Sequence, residues 1–105
     1  MKFGLTPKHL ETIATTLLIP LENAGIKVWF FGSRARGDFK TFSDLDVLYE
    51  GKDIPLSLIG SITEDLEESS LPIKIDLVNI NDLAESYKES VLRDRIEIRS
   101  TEILN

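Results

Sequence analysis

The stretch VWFFGSRARGDFKTFSDLDVL, residues 28–48, limits what this chain can fold into more than any other segment. Val28, Trp29, Phe30 and Phe31 have the β-branched and aromatic content of a buried strand, and Gly32 ends it. Ten residues separate Ser33 from Asp44, and Asp44 and Asp46 then open a second apolar run. Alternate side chains of a strand share a face, so the two carboxylates point one way while Leu45 and Val47 point into a core. A fold that satisfies both runs brings a glycine turn and two carboxylates to adjacent strand ends.

That arrangement has a chemistry. A turn at Gly32 leaves backbone N–H groups unpaired, and with the Ser33 hydroxyl they suit phosphate oxygens; Gly37 permits a second tight bend. Two carboxylates held side by side repel unless a cation lies between them. Hard oxygen ligands on a rigid strand suit Mg²⁺, whose coordination is completed by water and substrate phosphates. A third carboxylate is available in IKIDLVNI, residues 73–80, where Ile73, Ile75 and Leu77 mark one face and Lys74, Asp76 and Val78 the other. Asp76 reads as a charge inside a strongly apolar strand, costly unless paired or bound to metal. If that strand lies beside the one carrying Asp46, three carboxylates converge, enough for two ions about 3.5–4 Å apart.

A Gly-Ser pair, ten residues, Asp-x-Asp and a later Asp in a hydrophobic strand resemble the minimal nucleotidyltransferases of the DNA polymerase beta superfamily. The match rests on Gly32, Ser33, Asp44, Asp46 and Asp76, with GSRARG and SDLDV also typical and no departure at a motif position. The resemblance implies an α/β (α+β) fold of the polymerase beta type, a small mixed sheet flanked by helices. It implies Asp44, Asp46 and Asp76 as catalytic and metal residues, and two Mg²⁺ ions, with Mn²⁺ as an alternative. Asp76 would also accept the acceptor's proton. Gly32, Ser33, Arg36 and Gly37 would bind ATP or another nucleoside triphosphate. It further implies an antitoxin that transfers AMP to a hydroxyl of a HEPN-domain toxin or a similar small helical protein. A binding module acting by contact, and transfer to a small molecule, stand as alternatives.

Plainer readings exist for each residue. Gly32 and Ser33 can be an ordinary strand-ending turn, Asp44 can cap a turn beside Ser43, and Asp76 can pair with Lys74 or an arginine. Arg34 and Arg36 can be solvated loop residues or phosphate ligands, the latter more for Arg36. His9 reads as a surface residue, and Trp29, Phe30 and Phe31, lying inside the strand, as core and not as a base-stacking platform.

Composition narrows the field. The expectation for 105 residues without a proline- or glycine-rich linker is one domain over 1–105. With no cysteine there is no disulfide and no thiolate site. MKFGLTPKHL lacks the apolar run of a signal peptide, so a cytoplasmic protein without membrane association is expected. A formal charge of −6 opposes binding to long nucleic acid. Self-association through the site surface is the rival to a separate partner.

The remaining elements follow from local signals. Thr6 and Pro7 start a helix through Leu10, Ile13, Ala14, Leu17, Leu18 and Leu21, with Pro20 kinking it or ending its regular part and Gly25 as the stop. Strands are expected at 27–31, 45–50 and 73–80, and a short helix from Ser33. A helix through Leu58, Ile59, Ile62 and Leu66 would make the last two strands parallel. Asp82 and Glu85 resemble a capping box for a helix carrying Leu83, Tyr87, Val91 and Leu92, and residues 96–100 suggest an edge strand. The acidic run from Glu64 to Glu68 reads as a solvated helix face.

Overall fold

The computed structural model describes residues 2–104. Thr6 caps α1 (Pro7–Ile13): its Oγ1 accepts from the His9 N–H at 3.2 Å, and His9 Nδ1 accepts from the Thr6 N–H at 3.5 Å. His9 thus closes the helix start, in the place where the sequence pattern looks for Glu or Gln. Pro20 has no N–H to donate, and the hydrogen-bond ladder widens into a π turn (Ala14–Leu18) before α2 (Ile19–Asn23) resumes regular geometry. The regular part of the first helix thus ends ahead of Pro20, one of the two outcomes expected there. The six apolar residues of the helical stripe are all buried, and Gly25, at φ +74°, turns the chain out of α2.

Three strands follow: β1 (Lys27–Phe31), β2 (Leu45–Glu50) after the short α3 (Gly32–Arg36), and β3 (Ile75–Asn79) after α4 (Leu56–Glu67). The sheet order is β3-β2-β1-β4, with β4 (Ile96–Glu97) as a two-residue edge. β1 runs antiparallel to β2 and β4, whereas β2 and β3 are parallel, as a helical crossover through α4 requires. One face of the sheet carries Val28, Phe30, Leu45, Val47 and Tyr49, all buried, with Ile75 and Leu77 packed against them; α1, the π turn, α2 and α4 close this core. The other face carries a smaller cluster of Trp29, Leu48 and Val91, the last supplied by α5 (Glu85–Asp94). The short α6 (Ser100–Ile103) is tied to α2 where the Ser100 N–H and Oγ–H donate to the two Glu22 carboxylate oxygens at 2.7 and 2.8 Å. The acidic run at 64–68 is mainly exposed around buried Leu66. No helix among the described residues is long and apolar enough to cross a membrane.

Two local expectations are corrected. The Asp82–Glu85 capping box does not form. After β3 the chain makes a 3₁₀ turn (Ile80–Asp82), in which Asn79 Oδ1 accepts from the Asn81 N–H at 2.9 Å. Leu83 then runs extended, and Ala84 takes the N-cap place without a side-chain hydrogen bond, which leaves Asp82 two residues too early. Tyr87 is not part of the packed stripe of α5: it is 64% exposed, while Val91 one turn on is buried.

Candidate active site

Strand register assembles the site. Asp46 lies opposite Phe31 of β1 and opposite Asp76 of β3. Directly paired residues share a face, so Phe31, Asp46 and Asp76 form a row across three strands, on the side opposite the large core. Asp44 is exposed just ahead of β2. Burial pushes the Asp46 carboxyl above the ordinary carboxylate range, and the charges of Asp76 and Asp44 push it further; Arg36 pulls the other way. The cost of this arrangement is seen at Asp46, through its burial and two like charges nearby.

The sequence reading placed that cost on Asp76, and this is corrected. β3 is an edge strand, the sheet face over Asp76 is open, and the side chain is exposed. Neither Lys74 nor an arginine pairs with it among the described residues. The convergence is also looser than expected. Among the described residues no three Asp, Glu, His or Cys side chains are grouped tightly enough to hold a metal ion by themselves. One carboxylate stands on a solvated edge, another at a loop end, and of the three only Asp46 is partly buried.

The turn before α3 is shaped around Asp46. Gly32 has φ +74°, and a Cβ at this position would collide with Asp46 Oδ2. The backbone angle calls for glycine, and any larger residue would also displace the Asp46 carboxylate. No side chain caps the first turn of α3. Gly37, at φ +94° in the left-handed region, ends that helix, its N–H donating to the Ser33 carbonyl at 2.9 Å. The two bends expected at Gly32 and Gly37 are both present.

The two arginines separate. Arg34 is only 2% exposed and is neither solvated nor free to meet a phosphate. Its Nε donates to the Ser43 carbonyl at 2.9 Å, Nη1 to Phe3 at 2.9 Å and Nη2 to Thr41 at 3.0 Å, with the guanidinium 4.9 Å from the centre of the Phe39 ring. It staples the loop between α3 and β2 to the N-terminal turn, and so sets where Asp44 enters the sheet. Arg36 is about half exposed, with Nε 3.2 Å from Asp38 Oδ2 and Nη1 4.0 Å from Asp94 Oδ2. The alternative cap at Asp44 is taken by its neighbour: Ser43 Oγ accepts from the Lys40 N–H at 2.8 Å.

Sequence reasoning missed Arg34 as a structural residue, because its acceptors are backbone carbonyls that no pattern marks. It also missed Ser90 and Asp94, which face Arg36 and Phe31 across a cleft at the end of α5. Their only signal is spacing, since Tyr87, Val91 and Asp94 recur along one helix face.

Known proteins are similar in sequence. Residues 20–103 match the family model described as polymerase beta, nucleotidyltransferase. The protein adenylyltransferase MntA of Thermococcus cleftensis is 32% identical over 96 residues, 90% of this chain and 97% of that one. A Haemophilus influenzae protein, named as a probable protein adenylyltransferase MntA, is 32% identical over 77 residues, covering 71% of this chain and 67% of its own. With most of its length matched, its mixed sheet and the glycine turn set against Asp46, this chain belongs to the polymerase beta nucleotidyltransferase family and is an enzyme of that class.

Proposed function

We propose that the chain, as one minimal domain over 1–105, transfers AMP from ATP to a hydroxyl of a partner protein. The observation that carries this reading is the row of Asp46 and Asp76, with Asp44 beside it, on an open sheet face against the Gly32 turn. The MntA relatives, named for adenylyl transfer to protein, support the same direction.

The donor set fits a divalent cation. All three candidates are carboxylates, and their mutual repulsion at Asp46 is what a cation would relieve. Asp44, Asp46 and Asp76 would hold Mg²⁺, with Mn²⁺ as substitute, and water and phosphate oxygens would fill the ligand positions that a row of carboxylates leaves open. Bound there, such ions supply charge neutralisation of the phosphates and a more acidic acceptor hydroxyl. Gly32, Ser33 and Gly37 line the turn for the phosphate chain, and Arg36 can exchange Asp38 for a phosphate oxygen. Asp76 is the exposed carboxylate beside the bulk solvent where an acceptor must arrive. It accepts the hydroxyl proton as the acceptor oxygen bonds to the α-phosphorus, and the bond to the β-phosphate breaks to release pyrophosphate.

An exposed Asp76 on an edge strand needs the acceptor's own protein to complete the site. By family resemblance that partner is a HEPN-domain toxin of a toxin–antitoxin pair, met in the cytoplasm, and the acceptor is a tyrosine whose bulky anionic product blocks the partner's own site. Incubation with ATP, Mg²⁺ and the product of the neighbouring gene, followed by intact mass spectrometry, tests the reading. Mass gained in whole AMP units, lost with Asp44→Ala or Asp46→Ala, is the expected result. A stable complex with no gain in mass would leave a binding module in its place.

A further inference from the structure

A cleft of ≈ 180 Å³ opens beside the site, with Phe31, Gly32 and Arg36 on one wall and Tyr87, Ser90 and Asp94 on the other. Its composition is unlike that of the carboxylate row. Phe31 is half-buried against the Trp29–Leu48 cluster, so its ring is fixed on one side and available on the other. Tyr87 is 64% exposed, at the outer end of an α5 face whose inner residue, Val91, is packed on the sheet. Two aromatic side chains thus line a space that is open at one end and meets the glycine turn at the other.

The row across the sheet gives this cleft a direction. Asp76 stands at one end, on the solvated edge, and Phe31 at the other, with Asp46 between them and Gly32, next to Phe31 in the chain, set against Asp46. A phosphate chain held at Gly32 and Asp46, with the acceptor entering over Asp76, leaves the β1–α5 side for the rest of the nucleotide. On the adenylyl-transfer reading above, we propose that this cleft is the nucleobase site, with the base stacked on Tyr87 beside Phe31 and its exocyclic amine donating to Asp94. Asp94 is suited to that part. Its side chain is 22% exposed and is held by Arg93 Nε at 3.1 Å, with Arg36 Nη1 at 4.0 Å. A carboxylate accepts and cannot donate, so it favours a base with an amino group there and repels the carbonyl oxygen of uracil. Stacking area favours a purine over a pyrimidine. The cleft therefore selects an amino purine, which for the reaction proposed is adenine.

Calorimetric titration with Mg²⁺ complexes of ATP, UTP and inorganic tripolyphosphate tests the assignment. Wild-type protein is expected to bind ATP at least about tenfold more tightly than UTP or tripolyphosphate. Tyr87→Ala weakens ATP by about 5- to 160-fold, the range of one aromatic stack, and leaves tripolyphosphate unchanged. Tyr87→Phe keeps the wild-type affinity. Asp94→Asn narrows the ratio of ATP to UTP, because an amide can donate to a carbonyl as well as accept from an amine. Tyr87 is largely exposed, so a thermal unfolding curve matching wild type separates lost stacking from lost fold. Equal binding of ATP and tripolyphosphate, or an ATP affinity in Tyr87→Ala within twofold of wild type, overturns the base site while leaving the phosphate site standing. Failure of wild type to bind either ligand overturns the nucleotide reading on which the inference rests.

Discussion

The two faces of the sheet are built by the same strands and do opposite work. On the closed face, Val28, Phe30, Leu45 and Val47 are buried under α1, α2 and α4, and no charge interrupts them. On the open face the apolar cluster ends after Trp29, Leu48 and Val91, and the next positions along the sheet are Phe31, Asp46 and Asp76. In β2 the two assignments alternate residue by residue: Leu45 and Val47 go to the core, Asp46 to the site. A strand with period two can therefore carry a repulsive carboxylate at little risk to the fold, because its neighbours on either side are anchored beneath it. The lesson is that the cost of the site falls on the side where least packing is lost.

If that division holds, substitutions on the two faces should move different observables. Asp46→Asn should give the largest effect on transfer, taking AMP addition to the partner below detection in a mass assay, with an intact far-ultraviolet circular dichroism spectrum. A folded, active Asp46→Asn would break the comparison at its centre. Phe30→Ala, on the closed face, should lower unfolding free energy by about 3–5 kcal/mol in denaturant titration, through a cavity under a fully buried ring. Arg34→Ala should lie between the two faces in kind. Loss of three charge-assisted bonds to the Phe3, Thr41 and Ser43 carbonyls should lower stability by about 2–4 kcal/mol and also weaken ATP binding, because the loop that delivers Asp44 is freed. Stability loss with unchanged ATP affinity would show that the loop keeps its shape without the staple.

The smallest effect is one of pH. Asp46 titrates above the ordinary carboxylate range in the folded protein, so between the unfolded value, about 3.9, and its raised folded value the native state holds the proton more tightly. Stability contributed by this group falls as pH rises through that window, and the full cost is present at neutral pH. Asp46→Asn should then melt higher than wild type at pH 7, with the difference vanishing at pH values below the window. Added Mg²⁺ should raise the melting temperature of wild type and have less effect on the variant, since a ligand stabilises only the state that binds it. A variant that melts lower than wild type at pH 7 would mean that Asp46 is held by an attraction outweighing its burial and its two acidic neighbours.

What was legible in the sequence is what neighbours in the chain decide. Helix start at Thr6–Pro7, the interruption ahead of Pro20, strands at 27–31 and 45–50, the short helix after the glycine, and the turns at Gly32 and Gly37 all follow from side-chain sterics and period within a few residues. The parallel pairing of β2 with β3 was reachable as well, because a helix between two strands leaves few other connections.

Tertiary structure decided the rest. That Asp76 pairs with Asp46, and not with a residue two places away, depends on the register between segments 30 residues apart in the chain. That Asp76 is exposed while Asp46 is partly buried depends on which strand ends up at the sheet's edge. The same holds for Arg34, whose burial needs carbonyls from Phe3, Thr41 and Ser43 to meet at one point, and for Tyr87, whose helical spacing fitted a buried stripe that the short second core does not reach. Periodicity tells which residues share a face. Only packing between distant segments tells how much of that face is covered, and here the uncovered part is where the chemistry lies.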